Sequence, residues 1–304
     1  MITLGIDTSN YTTSVAFFDG VGGENCSELL PVAQGQLGLR QSDAVFAHIK
    51  SLPELSGRLF SHALGEIVAV GVSTRPRAVE GSYMPCFMVG YSHAKMLSDL
   101  LHVPLVQVSH QQGHVASALW SAGRLDLMDV PHLAWHLSGG TTELLLVEPE
   151  GRNVRCTRIG GTTDISAGQL IDRTGQLLQL PFPSGKHLDK LASEATDKSV
   201  FRVKTDGLSF SLSGVQNKVQ QYHSNNPAPA ETAGYALRCV CGAVQRATEN
   251  ALKAYPGLPV VFSGGVASNS MLRSVMEPAG AVFAQPRFST DNAMGVAILA
   301  SREV

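Results

Sequence analysis

Residues 2–18, ITLGIDTSNYTTSVAFF, with DGVGG at 19–23, decide how the chain is built. The runs 2–8 and 14–18 are rich in β-branched and aromatic residues, and DGVGG supplies a turn, so the segment reads as two strands leading to a third at 24–32. Working outward, a helical pattern covers roughly 41–63, interrupted near Pro53; the strand IVAVGVS (67–73), the helix 89–102 and the strand PLVQVS (104–109) follow. After a helix carrying His110 and His114 the plan starts again, with strands 132–138, 142–149 and 153–159. Helices at about 166–180, 187–196, 210–223 and 231–255 come next. The strand LPVVFS (258–263), the helix SNSMLRSVM (268–276), the strand AVFAQ (281–285) and a terminal helix from about 291 complete it. Two copies of one βββαβαβα order predict an α/β protein of two sheet-centred lobes with a cleft between them. The expected division is 1–108 plus about 286–304 for the N-terminal lobe and 109–285 for the C-terminal lobe.

Composition narrows the function. With 304 residues, 44% of them apolar, the chain can bury a large core. Its formal charge of −2 gives no global cationic field, so any RNA contact has to be local. Five cysteines at 26, 86, 156, 239 and 241 form no C-x-x-C pair and no disulfide framework, which fits a reducing cytoplasm. Cys239 and Cys241 point to different faces of a helix and read as small buried residues rather than metal ligands. Neither a basic leader nor a run of eighteen apolar residues occurs, so no export and no membrane span are expected.

Each copy carries a glycine turn after a strand: LSGGTTE at 137–143 and FSGGVASNS at 262–270. A Gly-Gly pair lets backbone N–H groups approach an anion without Cβ obstruction, and Ser268, Asn269 and Ser270 can open a helix whose N-terminus favours negative charge. Asn269 can also bond a ribose or base. Neither loop matches a P-loop or a G-x-G-x-x-G fingerprint, and singly each is an ordinary tight turn. Their equivalent places in a duplicated plan favour a nucleotide ligand. Asp172, on the helix 166–180, falls away from Leu170, Leu177 and Leu178, and by pattern alone it is a solvated aspartate. Gly185, in FPSGKHLDKL, reads by pattern as a helix-entry turn.

His110 and His114 are i and i+4, which places their Cβ atoms about 5–6 Å apart and lets both imidazoles meet one ion. Asp291, in TDN at 290–292, offers a third ligand or simply a helix cap. H-x-x-x-H overlaps the zinc-protease motif H-E-x-x-H, but Gln111 cannot act as general base, so proteolysis is disfavoured. By itself such a pair is structural more often than not. The other histidines, at 48, 62, 93, 102, 132, 136, 187 and 223, read as solvent or core residues.

Taken in order, GIDTS (5–9), HQQGH (110–114), LSGGTTEL (137–144), ISAGQLIDRTGQLLQLPFPSG (165–185), LSFSLSG (208–214), SGGVASNSMLR (263–273) and STDNAM (289–294) resemble the tRNA adenosine threonylcarbamoyltransferase family. The likeness spans most of the chain. It implies duplicated ribonuclease-H-like lobes in the actin/Hsp70/hexokinase-type (ASKHA) fold. It also implies one divalent metal ion, Fe or Zn, on His110, His114 and Asp291, and an adenylate ligand on Ser138, Gly139, Gly140, Thr141, Asp172, Gly185 and Asn269. Asp7 and Ser9, in the matched GIDTS, become the catalytic candidates. The implied reaction passes the threonylcarbamoyl group from threonylcarbamoyl adenylate to N6 of adenosine 37 in tRNA in the cytoplasm, with helper proteins or a homodimer as further partners.

Three departures mark a divergent paralogue. Tyr11 and Thr12 stand where the family has an acidic pair, Thr141 replaces a histidine, and STRPRAVEGS (73–82), bearing Arg75 and Arg77, replaces a G-P-G segment. The first favours an alternative reading, a nucleotide- and metal-binding scaffold or regulatory subunit; the third, transfer to another acceptor.

Overall fold

Strand β1 (Ile2–Thr8) is buried at every position, the pattern of a central strand covered on both faces. The structure, a computed structural model, describes residues 1–9, 11–31, 39–61, 65–290 and 292–304. β1 runs antiparallel to β2 (Thr12–Phe18), which pairs antiparallel with β3 (Gly23–Leu29). On its other side β1 lies parallel to β4 (Ile67–Arg75), and β4 lies parallel to β5 (Leu105–Ser109). The order is β3-β2-β1-β4-β5. Parallel neighbours need crossovers, supplied by α1 (Gln41–Leu59) and α2 (Phe87–Leu101).

α1 buries Ala44, His48, Leu52, Leu55 and Leu59, one stripe at helical spacing. Pro53 does not interrupt it, contrary to expectation. The proline is exposed, so the carbonyl it leaves unbonded, on exposed Ile49, can be hydrated. The expected ends at 32 and 62–63 lie outside the described residues.

Helix α3 (His110–Ser121) begins directly after β5, and α9 (Met294–Ser301) packs on it and on β1. A Cβ at Gly295 would collide with the Gly113 carbonyl oxygen and lie 2.9 Å from the Ser117 nitrogen, so only glycine allows this approach.

The second sheet has the order β12-β11-β6-β7-β8-β10-β9. β6 (His132–Leu137), β7 (Thr142–Glu150) and β8 (Asn153–Thr162) form the meander; β11 (Val260–Ser263) lies parallel to β6, and β12 (Val282–Phe283) parallel to β11. This repeats the first sheet, a meander followed by two parallel strands. Two further strands, β9 (Thr205–Asp206) and β10 (Ser209–Phe210), extend it beyond β8. Around it stand α4 (Ala167–Leu177), α5 (Gly185–Ala192), α6 (Ser213–Asn225), α7 (Pro229–Ala254) and α8 (Ser270–Met276). Its core centres on Trp135, stacked on Phe262 at 6.4 Å and donating its indole N–H to Thr248 Oγ1 at 2.9 Å. On α4, Leu170, Ile171 and Thr174 are buried, but Leu177 is exposed.

By contacts the chain divides into residues 1–130, 148–156 and 291–304 in one unit, and 131–147 and 157–290 in the other. The division therefore differs from the expected 1–108 plus 286–304 against 109–285. α3 and the short helix Leu125–Asp129 join the first unit, because α3 is built against α9 through Gly113 and Gly295. No helix among the described residues is long and apolar enough to cross a membrane.

Candidate functional site

In the first unit the candidate chemistry gathers where β1 and β4 end and α3 begins. Asp7 is fully buried on β1, and its carboxylate accepts from the Ser73 hydroxyl of β4 and from His110 Nδ1 at 2.9 Å. With Nδ1 donating, His110 presents Nε2 on its far side, 3.0 Å from His114 Nε2. α3 is fixed at this point by a capping box. Ser109 caps it, its N–H and hydroxyl donating to Gln112 Oε1 at 2.8 and 2.9 Å, while the Gln112 N–H donates to Ser109 Oγ. Gln112 also donates to the Val154 carbonyl at 2.7 Å. Gln112 of HQQGH thus serves the helix start.

Thr8 faces the other way, accepting from Gly90 N–H and donating to the Cys86 carbonyl, which ties β1 to the start of α2. Ser9 follows it and is buried. Buried His48 bonds Thr13 through Nδ1 at 2.8 Å. Burial lowers its pKa, opposed by the nearby charge of Asp7, so it is a neutral core histidine. Tyr11 is half-buried and Thr12 buried. Arg75 and Arg77 are exposed, with Arg75 opposite Ser109 and the Pro76 carbonyl accepting from Gln111 N–H.

The donor set suits a divalent transition metal. Two ligands bound at about 2.0–2.1 Å in tetrahedral geometry lie ~3.3 Å apart, close to the Nε2 separation here. A carboxylate on the outer nitrogen is the usual support of a metal-binding imidazole. Among the described residues no group of three His, Cys, Asp or Glu side chains is arranged around one point, and Asp291 lies outside them. The helix expected from about 291 begins at Met294.

In the second unit hydrogen bonds tie the predicted binding residues to the starts of α4, α5 and α8. Ser138–Thr141 forms the turn between β6 and β7: Ser138 N–H donates to the Thr141 carbonyl at 2.8 Å, and Thr141 N–H to Ser138 Oγ at 3.1 Å. Gly139 and Gly140 are exposed, with open space where a Cβ would stand. The turn rests on the start of α4. Ser166, which caps α4 with Gln169, donates its hydroxyl to the Gly139 carbonyl at 2.6 Å, and a Cβ at Gly168 would meet the Ser138 carbonyl at 2.5 Å.

One turn further along α4, Asp172 accepts the Ser184 N–H at 2.8 Å and so fixes the entry to α5, where Gly185 is the first residue. Burial pushes the Asp172 carboxyl up from its ordinary value, partly offset by that N–H. It is not the solvated aspartate its pattern suggested. From α5, Asp189 accepts from Asn269 Nδ2 at 2.7 Å and from the Ser270 hydroxyl at 2.9 Å. Asn269 caps α8 through Oδ1 to Leu272 N–H at 3.0 Å. Before it, Gly264 takes φ +90, and a Cβ there would strike the Leu137 carbonyl. Asp189, Ser166 and Ser184 escaped the sequence reading. The spacing Ser166-x-x-Gln169 was a visible capping box, whereas nothing local marked Asp189.

The architecture has solved counterparts. Full-length HypF in its phosphate- and nucleotide-bound form superposes with TM-score 0.62 at 13% identity, over 99% of this chain and 46% of that one. Component A of (R)-2-hydroxyglutaryl-CoA dehydratase from Acidaminococcus fermentans gives 0.56 at 16%, over 100% and 98%. A ROK-family glucokinase from Streptomyces griseus gives 0.54 at 12%, over 99% and 100%. At such identities the likeness speaks for the ASKHA fold alone.

Sequence relatives go further. Proteins named tRNA N6-adenosine threonylcarbamoyltransferase match at 29% identity in Carboxydothermus hydrogenoformans, over 97% of this chain and 90% of that protein, and at 33% in Gluconobacter oxydans, over 84% and 74%. The profile of the same family covers residues 39–298. With the histidine pair, both glycine turns and the α4–α5 linkage inside that span, this chain belongs to the tRNA N6-adenosine threonylcarbamoyltransferase family.

Proposed function

We propose that this protein transfers the threonylcarbamoyl group of threonylcarbamoyl adenylate to N6 of adenosine 37 in tRNA, using one divalent ion, iron or zinc, on His110, His114 and Asp291. The supporting observation is the convergence of the two Nε2 atoms at 3.0 Å, braced by Asp7, in a chain of this family. In the reaction N6 attacks the carbamoyl carbon, the bond from that carbon to the adenylate phosphate oxygen breaks, N6 loses a proton and AMP departs. The ion, when bound, supplies Lewis-acid polarisation of the carbamoyl oxygen.

The chain's own residues bind and orient. The 138–141 turn offers backbone N–H groups to the phosphate, with Thr141 N–H already taken by Ser138. Asp172, Gly185 and Asn269 bound the place for the adenosine, where carboxylate and amide match ribose hydroxyls and base edge. Asp7 acts through His110 as a positioning residue, and Ser9 lies two residues on as a candidate contact to the reacting group. We place the protein in the cytoplasm, working with helper proteins or as a homodimer.

The test supplies metal-loaded protein with threonylcarbamoyl adenylate and unmodified tRNA. Modified adenosine and AMP in equal amounts are expected; the absence of both would remove the reading. Tyr11 and Thr12 favour one second reading, a catalytically impaired scaffold or regulatory subunit. Normal adenylate affinity with no turnover under the same conditions would select it.

A further inference from the structure

The two units differ in charge. The second carries thirteen basic against ten acidic residues, the first ten against fifteen. Much of the basic excess lies on KSVFRVK, residues 198–204, which connects α5 to β9 without regular structure. Val203 is buried and Phe201 packs on the core, whereas Lys198, Val200, Arg202 and Lys204 are exposed. That alternation belongs to an extended chain, in which every second side chain shares a face at ~6.5 Å intervals.

No strand holds this strap; α7 does. Arg238 Nε donates to the Ser199 carbonyl at 2.9 Å, Phe201 N–H to Cys239 Sγ at 3.3 Å, and Arg246 Nη2 to the Val203 carbonyl at 2.9 Å. Lys218, on α6, lies 5.8 Å from the centre of the Phe201 ring. Cations therefore converge here, with Asp197 near Arg238 and Glu249 near Arg246 as the neighbouring acids. Arg238 Nη2 and Arg246 Nε are buried with no hydrogen-bond partner, and no ion pair among the described residues involves Lys198, Arg202 or Lys204. Burial, and then the charge of Arg202, lowers the Arg246 pKa against the opposing Glu249, so like charges already press on one another. Asp197, at the near end, is engaged by the Tyr222 hydroxyl at 2.5 Å and the Ser199 N–H at 2.8 Å; Asp206 lies beyond the far end.

We infer that the 198–204 strap is a docking track for the phosphodiester backbone of RNA, with Lys198, Arg202 and Lys204 as its outward contacts. This rests on the reading that tRNA is the acceptor. Repeated cations along an extended chain suit a regular row of phosphates. A protein partner would want a buried aromatic or large apolar anchor, and the exposed face offers only Val200.

The experiment compares full-length wild type with the triple variant K198Q/R202Q/K204Q. Binding of a fluorescent unmodified tRNA transcript and of polyglutamate is followed from 50 to 300 mM KCl, and transfer is measured in parallel. The side chains are exposed, and a melting curve checks that the variant folds. Loss of three phosphate contacts reduces the slope of log affinity against log salt by about 2–3 and weakens tRNA binding about tenfold or more, with polyglutamate binding weak throughout. An unchanged slope overturns the track even if transfer is normal. Strap-dependent binding of polyglutamate as tight as that of tRNA overturns the RNA assignment. A slope that falls as expected, in a protein showing no transfer, leaves the track standing and removes the proposed reaction instead.

Discussion

Asp7 shows how one side chain can be decided by its neighbours. The resemblance of GIDTS made it a catalytic candidate, while in the structure it is fully buried and divides its oxygens between Ser73 and His110. Removing the charge but keeping the shape isolates that role. Asp7→Asn is expected to lower metal affinity and transfer by about 10–100-fold with little change in adenylate binding, read by metal content and by turnover. Asp172 likewise looked solvent-bound until folding set it against Ser184. His110 and His114 were legible because helical spacing alone makes i and i+4 neighbours. Asp189 was illegible because its partner Asn269 is eighty residues away.

Elements carry a different kind of information. The strap from β8 to α4 and the start of α6 are locked by Asp164, which receives the Ser211 and Ser213 hydroxyls and the Leu212 and Ser213 N–H groups. Burial alone would raise its carboxyl pKa, but those four donors outweigh it and hold the group well below the usual carboxylate range. A depressed folded pKa contributes stability above the unfolded value near 3.9, lost as pH falls toward the folded one. Asp164→Asn should therefore cost on the order of 1 kcal/mol at pH 7 after allowing for solvent screening, and the gap to wild type should shrink below pH ~4 in denaturation curves. Where α3 meets α9 the constraint is steric. Gly295→Ala forces a methyl into the Gly113 carbonyl and should lower stability by ~3 kcal/mol or more, measured by urea unfolding. Long elements were readable from periodicity. β9 and β10, two residues each, leave no alternation to read, and Pro53 was misread because a proline's effect depends on whether its lost bond faces water.

For the molecule as a whole, ligand binding and folding are linked. An ion gripped by His110 and His114 would stabilise the folded state by mass action, about 2.7 kcal/mol at a hundredfold excess over Kd. Adding Fe²⁺ or Zn²⁺ should raise the melting temperature of wild type and leave that of His114→Ala unmoved. A rise of equal size in both would place the ion elsewhere. The sequence by itself determined the α/β class, the doubled order of elements, the histidine pair and the glycine turns, because these depend on spacing within a few residues. Tertiary structure alone decided that α3 joins the first unit, that Asp7 braces His110, that Asp172 and Asp189 tie together the second unit's candidate residues, and that the cations of 198–204 form no ion pair among the described residues. Each of those rests on burial or on contact between residues distant along the chain, and local patterns do not encode which distant groups will meet.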